Sequence, residues 1–108
     1  MDYKVEEYEH ENGSCPFRLW LERTDTVTRA RIQARILRFE TGNLGDMRSL
    51  GDGVHEARFD FGPGYRLYFG LKQRSLVILL TGGDKSTQDR DIARAKSYWD
   101  DYRSRGEK

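Results

Sequence analysis

Cysteine is almost missing from this sequence: Cys15 is the single one in 108 residues. No internal disulfide can form, so stability must come from a packed core, and a reducing, cytoplasmic setting is expected. With only two histidines beside it, no spacing resembles a zinc site, and neither a metal nor another cofactor is expected. Long apolar runs are missing as well. None approaches the roughly 18 residues of a membrane helix, so no membrane association is expected. The opening segment MDYKVEEYEHE is acidic and polar, unlike a secretory signal. Repeats, low-complexity tracts and linkers are absent, and the length fits one domain over residues 1–108.

What the chain has in quantity is charge, unevenly placed. Residues 1–14 carry Lys4 against Asp2, Glu6, Glu7, Glu9 and Glu11, a net charge of −4, which leaves +5 for the rest. Arginine supplies 14 of the 19 basic side chains. Arginine keeps its charge and grips phosphate through two parallel N–H groups, so the bias points toward a nucleic-acid partner. An ordinary mixed-charge surface is the plainer alternative.

The local patterns predict an α+β fold in the order β-α-α-β-β-β-α. Tyr3–Tyr8 alternates as a short strand. Ser14 and Pro16 suit the start of a helix whose apolar face is Phe17, Trp20 and Leu21. Asp25 is an N-cap for a second helix running from Thr26 to Thr41 and stopped at Gly42. That helix has two apolar stripes, Val27/Ala30/Ala34/Leu37 and Ile32/Ile36/Phe39, separated by Arg31, Arg35 and Arg38. The pattern predicts a helix sandwiched between two neighbours. From Met47 the period becomes two, and Gly51-Asp52-Gly53 reads as a turn. Strands are expected over Val54–Phe61, Tyr65–Lys72 and Leu76–Leu80, with Gln73-Arg74 as a hairpin tip. The last is apolar throughout, as in a strand covered on both faces. Ser86 resembles the start of a capping box for a final helix that places Ile92, Ala95, Trp99 and Tyr102 on one side. The later strands form an antiparallel meander, with helices over one face of the sheet.

Side chains alternate faces along a strand. Glu56, Arg58 and Asp60 therefore share one side of the first hairpin strand, and Arg66, Tyr68 and Lys72 one side of the second. If Phe61 pairs with Tyr65, Arg58 faces Tyr68, Asp60 faces Arg66 and Glu56 faces Gly70. The result is a polar cluster on an open sheet face, with Lys85 closing one end. Cleaving an RNA phosphodiester without metal requires a base at the 2′-hydroxyl, cations on the charged phosphorane and an acid at the leaving oxygen. Glu56 suits the base, Arg58 and Arg66 the phosphate, and Tyr68 a stacking or proton-transfer role. A solvated sheet face with cross-strand ion pairs is the bland alternative. His10, in a segment that reads as acidic and mobile, has no positioned partner for catalysis; His55 reads as a packed or edge residue of its strand, and Cys15 as structural or incidental.

The stretches Leu50-Gly51-Asp52-Gly53-Val54-His55-Glu56-Ala57-Arg58 and Gly64-Tyr65-Arg66-Leu67-Tyr68-Phe69 resemble the RelE/ParE toxin superfamily. The run Leu80-Thr81-Gly82-Gly83-Asp84-Lys85-Ser86-Thr87-Gln88-Asp89, then Ala93-Arg94-Ala95, resembles its HigB-like branch, which includes phage-derived "addiction module killer" proteins. The resemblance implies a RelE-like fold, with an antiparallel-rich sheet, two N-terminal helices and a C-terminal helix. It also implies a type II toxin: a metal-independent, ribosome-dependent mRNA endoribonuclease that inhibits translation. Its partners would be mRNA on the ribosome and a cognate antitoxin of helix-turn-helix type. By position, Arg66 matches the family arginine at the scissile phosphate. Glu56, Arg58 and Lys85 fall where relatives carry catalytic polar residues. Arg35, Arg38, Lys72 and Arg74 are further basic positions expected to contact RNA, while the stripe Arg31, Arg35 and Arg38 also reads as a solvated seam between the two apolar stripes. A ParE-like inhibitor of DNA gyrase without catalysis, or a non-toxic binding module, shares the same fold expectation.

Overall fold

The computed structural model describes residues 2–106. Its elements are β1 (Lys4–Glu7), α1 (Pro16–Arg23), α2 (Thr26–Glu40), β2 (Met47–Gly51), β3 (Val54–Arg58), β4 (Arg66–Lys72), β5 (Leu76–Gly83) and α3 (Gln88–Gly106), the last preceded by a 3-10 turn, Lys85–Thr87. The fold is α+β. Five strands form one mixed sheet in the order β1-β5-β4-β3-β2. Strands β2 to β5 make the antiparallel meander, and β1 lies parallel to β5 at the far edge. Strand β2 adds one element to the expected order. It is short and mostly exposed, so the alternation around Met47 was too brief to separate it from the turn that follows.

Helix ends follow local chemistry. Asp25 caps α2 as expected, its carboxylate accepting from the Thr28 N–H at 2.7 Å. Thr41 is the C-cap, and Gly42 just beyond it has φ 91°. Arg29 donates to the carbonyls of Leu21, Glu22 and Thr24, which satisfies the last turn of α1. Two expected caps are corrected. Cys15, not Ser14, occupies the N-cap of α1 and makes no side-chain cap bond. Ser14 instead donates to Asn12. Ahead of α3 the cap is Asp84, which accepts from the Ser86 N–H at 2.8 Å.

The expectation of helices on one face is overturned: both faces are covered. Ala57, Phe59, Leu67, Phe69, Val77 and Leu79 pack against Phe17 and Leu21 of α1 and Ile32 and Phe39 of α2. On the opposite face, Val54, Tyr68, Ile78 and Leu80 pack with Tyr8 and with Ala95 and Trp99 of α3. The uninterrupted apolar run of β5 demands this second cover, since an all-apolar strand has two faces to bury. Helix α2, by contrast, is not sandwiched. Its Val27 and Leu37 are 66% and 63% exposed, and Ala30 and Ala34 between them are exposed too.

Strand register also differs from the expectation by two residues. Glu56 pairs with Tyr68, Ala57 with Leu67 and Arg58 with Arg66. Seven residues, 59–65, connect the strands rather than a tight Gly-Pro-Gly turn. Phe61 and Tyr65 remain ring neighbours, with centroids 5.6 Å apart, while Gly62 and Gly64 take φ of 61° and 80°. A shift of two preserves side-chain parity, so the residues stay on the faces expected of them.

A bulge between Tyr68 and Phe69 leaves Leu80 as the extra residue of β5. Beyond it, Gly82 and Gly83 face opposite sides of the sheet. A Cβ on Gly82 would sit 2.3 Å from the Trp20 ring, and one on Gly83 would sit 1.8 Å from Asp91 Oδ2. The Gly-Gly pair lets a helix approach on each side at the same point along the strand.

Candidate nucleic-acid interface

Three neighbouring strands each place an arginine on the α3 face, at the end reached by the first turn of α3: Arg48 on β2, Arg58 on β3 and Arg66 on β4. Pairing sets their neighbours. Arg48 lies opposite Glu56, and Arg58 opposite Arg66. Adjacent strands are about 4.8 Å apart, so the three arginines stem from neighbouring positions of the sheet and form a basic strip, with Arg48 set two residues along from the Arg58–Arg66 pair.

Glu56 is the hub of this strip and is 0% exposed. Its Oε1 lies 3.4 Å from Arg66 Nε and 3.7 Å from an Arg48 terminal nitrogen. Its Oε2 accepts from Gln88 Nε2 at 2.9 Å, which ties the first residue of α3 to the sheet. Arg66 is held from its other side, donating from one terminal nitrogen to the carbonyls of Gly64 and Tyr65. Arg58 leans toward Asp46 at 3.6 Å across a mostly exposed gap, a pair worth little in water.

Tyr68 lies beside Glu56 and is also 0% exposed. Its hydroxyl has no hydrogen-bond partner. Burial holds its ionisation well above the ordinary phenol range, and the nearby Glu56 and Asp91 carboxylates push it further the same way. Asp91, 4% exposed, accepts from the Thr87 hydroxyl at 2.5 Å and closes the end of the site under the first turn of α3. Lys85 is exposed and flanks Gly64 together with Arg66: a Cβ on Gly64 would lie 3.3 Å from Lys85 Cβ and 3.5 Å from an Arg66 nitrogen.

Of the catalytic candidates, the structure thus brings Glu56, Arg58, Arg66, Tyr68 and Lys85 to one end of the sheet. It does not expose them equally. Glu56 and Tyr68 lie under the surface, so as they stand neither meets a strand laid on the arginines. Asp60, beyond the end of β3, is exposed and takes no part. Arg48 and Gln88 belong to the cluster and were missed. The signal for Arg48 was its place one turn upstream of Glu56 on an antiparallel partner, legible only once β2 is recognised as a strand.

The outlying basic residues separate. Arg35 is only 8% exposed and donates to the backbone carbonyls of Arg58, Leu44 and Asp46 at 2.9, 3.2 and 2.7 Å. Its expected RNA contact is corrected: the guanidinium binds α2 to the β2–β3 end of the sheet. Lys72 closes β4 at the opposite end from Arg66, roughly 20 Å away at strand spacing, with its ammonium over the Tyr102 ring. Arg74, on the exposed hairpin tip beyond Lys72, is equally remote. Neither belongs with the Arg66 cluster. Arg38 is exposed on α2.

His55 packs as expected, stacked on Phe69 at 5.6 Å, and burial lowers its basicity. No helix among the described residues is long and apolar enough to cross a membrane.

An uncharacterized protein of Haemophilus influenzae is 51% identical to this chain over 81 residues, which span 74% of this chain and 82% of the relative. The chain belongs to that protein's family. No family model matches it.

Proposed function

We propose that the chain is a RelE-type toxin of the HigB-like branch that cleaves mRNA on the ribosome. The observation that carries this reading is the strip of Arg48, Arg58 and Arg66 on three adjacent strands, two of them converging on the buried Glu56. An arginine strip of this kind suits a polyanionic strand, and guanidinium groups held in advance stabilise the charge that develops on a phosphorane. Arg66 is the group on the scissile phosphate in this reading, with Arg58 and Lys85 beside it. Glu56 acts as a positioning residue that aims Arg48 and Arg66, rather than as the base first expected. Pre-organisation of the mRNA by the ribosome supplies the alignment that this small surface lacks. A helix-turn-helix antitoxin, complementary in charge, would silence the toxin by covering the strip, and the setting is the cytoplasm.

One observation favours a second reading. Glu56 and Tyr68, the residues suited to proton transfer, are both fully buried. A ParE-like protein that inhibits DNA gyrase by binding needs no exposed base.

Inducible expression of the wild type and Arg66→Ala in bacteria, with mapping of mRNA 5′ ends, tests the proposal. Growth arrest with new cuts inside translated codons, lost in the folded variant, is the expected result. Arrest with intact mRNA overturns the nuclease and favours the gyrase reading. Absence of arrest leaves a non-toxic binding module.

A further inference from the structure

Around the edge of the sheet from the arginine strip lies a cleft of about 390 Å³ between α2 and the β2–β3 end, lined by Arg31, Arg35, Arg38, Arg58, Phe59 and Phe61, among others. Its floor is rigid. Arg35 is tied to three backbone carbonyls and lies over the Phe59 ring, 5.0 Å from its centroid. Those partners are neutral, so the buried positive charge is screened by no described carboxylate in direct contact, and its Nε has no hydrogen-bond partner at all. A cation buried in this way favours an anion nearby. One wall is Arg31, whose guanidinium lies 4.6 Å over the Phe61 ring. That contact draws the exposed guanidinium toward the cleft and leaves its N–H groups able to meet an acceptor. Arg38 follows Arg31 by two turns of α2, about 10 Å along the same side. Asp46 and Asp60 also line the cleft and act on the Arg35 charge from a distance, but both are exposed, and against four arginines they leave the cleft positive.

Arg58 links the two regions. It stands on the sheet face beside Arg66, and it also lines this cleft. A chain of phosphates leaving Arg66 across Arg58 therefore runs into the cleft.

We propose that the cleft is a second phosphate-binding subsite, in which Arg31 and Arg38 hold the backbone of the same single-stranded RNA that Arg66 engages. The inference rests on the RNA-directed reading above and extends it away from the sheet. Arg35 shapes the subsite and supplies long-range charge, while Arg31 and Arg38 make the contacts.

Binding of a fluorescein-labelled, 2′-O-methylated twelve-nucleotide RNA, which cannot be cut, tests this by anisotropy over a series of salt concentrations. Each phosphate contact adds about 0.7 to the slope of log affinity against log salt for a single strand. Arg31→Gln/Arg38→Gln is expected to lower the slope by about 1.4, Arg66→Gln by about 0.7, and the triple variant by about their sum. Arg31 and Arg38 are exposed, and a thermal melt establishes that the variants fold. If Arg66→Gln lowers the slope and the double variant does not, the cleft lies off the RNA path and the inference fails, while the RNA-directed reading stands. If the wild type binds no RNA, the inference fails, while the RNA-directed reading is decided separately by the mapping of mRNA 5′ ends in cells. If poly-glutamate of equal charge competes as well as unlabelled RNA, and loses affinity equally in the double variant, the cleft is a general acidic-ligand surface and the inference is overturned.

Discussion

Arg66 Nε lies 3.4 Å from Glu56 Oε1, and neither atom makes a hydrogen bond. The contact between the two atoms is ionic, while hydrogen bonds from Gln88 to Glu56 and from Arg66 to the Gly64 and Tyr65 carbonyls hold the side chains from behind, with Glu56 fully buried and the Arg66 side chain 12% exposed. Removing one partner of such a pair leaves an uncompensated charge out of water, at a cost of about 3–5 kcal/mol. Glu56→Ala is therefore expected to lose about 3 kcal/mol by urea unfolding, and Arg66→Ala less, because Arg48 also neutralises Glu56. In the double variant the losses should fall short of additive. A Glu56→Ala protein within about 1 kcal/mol of wild type would mean that the pair does not hold the strip together.

Gly83 carries a second, purely steric prediction. A Cβ there would meet Asp91 Oδ2 at 1.8 Å, so Gly83→Ala must push the first turn of α3 off the sheet. Forcing atoms into a packed site costs about 1–3 kcal/mol. In an Asp91→Ala background the same change should cost much less, because the two closest atoms are gone and only the Thr87 hydroxyl, at 3.0 Å, stays near. Equal losses in both backgrounds, measured by thermal melting, would place the strain in the backbone instead.

The steric logic of Gly82 and Gly83 also shows where sequence reading stops. Both stood in the sequence as a motif, but nothing local says that one faces Trp20 and the other Asp91. The α+β class, the N-cap at Asp25, the helix stop at Gly42, and the faces of β3 and β4 were legible because they depend on short-range periodicity and on side chains near in sequence. The grouping of Glu56, Arg58 and Arg66 followed from parity, which survived the two-residue error in register. What could not be read was which face a distant helix would cover. The alternation of β3 and β4 marked one face as polar, and only the apolar run of β5 hinted that α3 would bury it. Arg35 misled for a related reason. On the helix it stands beside Arg31 and Arg38, but one step around the axis turns it from solvent toward the carbonyls of residues 44, 46 and 58.

Those carbonyls give the next prediction. A guanidinium reaches all three at once, whereas an ammonium at the same site is a single point with different reach. Arg35→Lys is expected to destabilise by about 1–3 kcal/mol, the cost of leaving buried acceptors unpaired, and Arg35→Ala by more, since packing on Phe59 is also lost. The comparison is made by denaturant unfolding at neutral pH. Wild-type stability in Arg35→Lys would show that the positive charge matters there and the three-way geometry does not.

Tyr8 supplies a prediction in alkaline solution. Its hydroxyl donates to Asp101 at 2.5 Å, and burial, followed by that carboxylate, pushes its pKa up from 10.0 to about 12. The folded protein thus holds the Tyr8 proton more tightly than the unfolded chain does. Stability from this group is fully present below pH 10 and is lost as pH rises toward 12, because the unfolded state releases its proton first. Burial raises Tyr102 in the same direction, so a wild-type unfolding profile should fall steadily through this window. In Tyr8→Phe the baseline stability at pH 8 should drop, since the bond to Asp101 is gone, and the decline between pH 10 and 12 should become shallower. Absorbance at 295 nm during the same titration should show late-ionising tyrosines in the wild type, with one fewer in the variant. A variant that declines as steeply as the wild type would mean that Tyr8 ionises as freely when folded as it does in the unfolded chain.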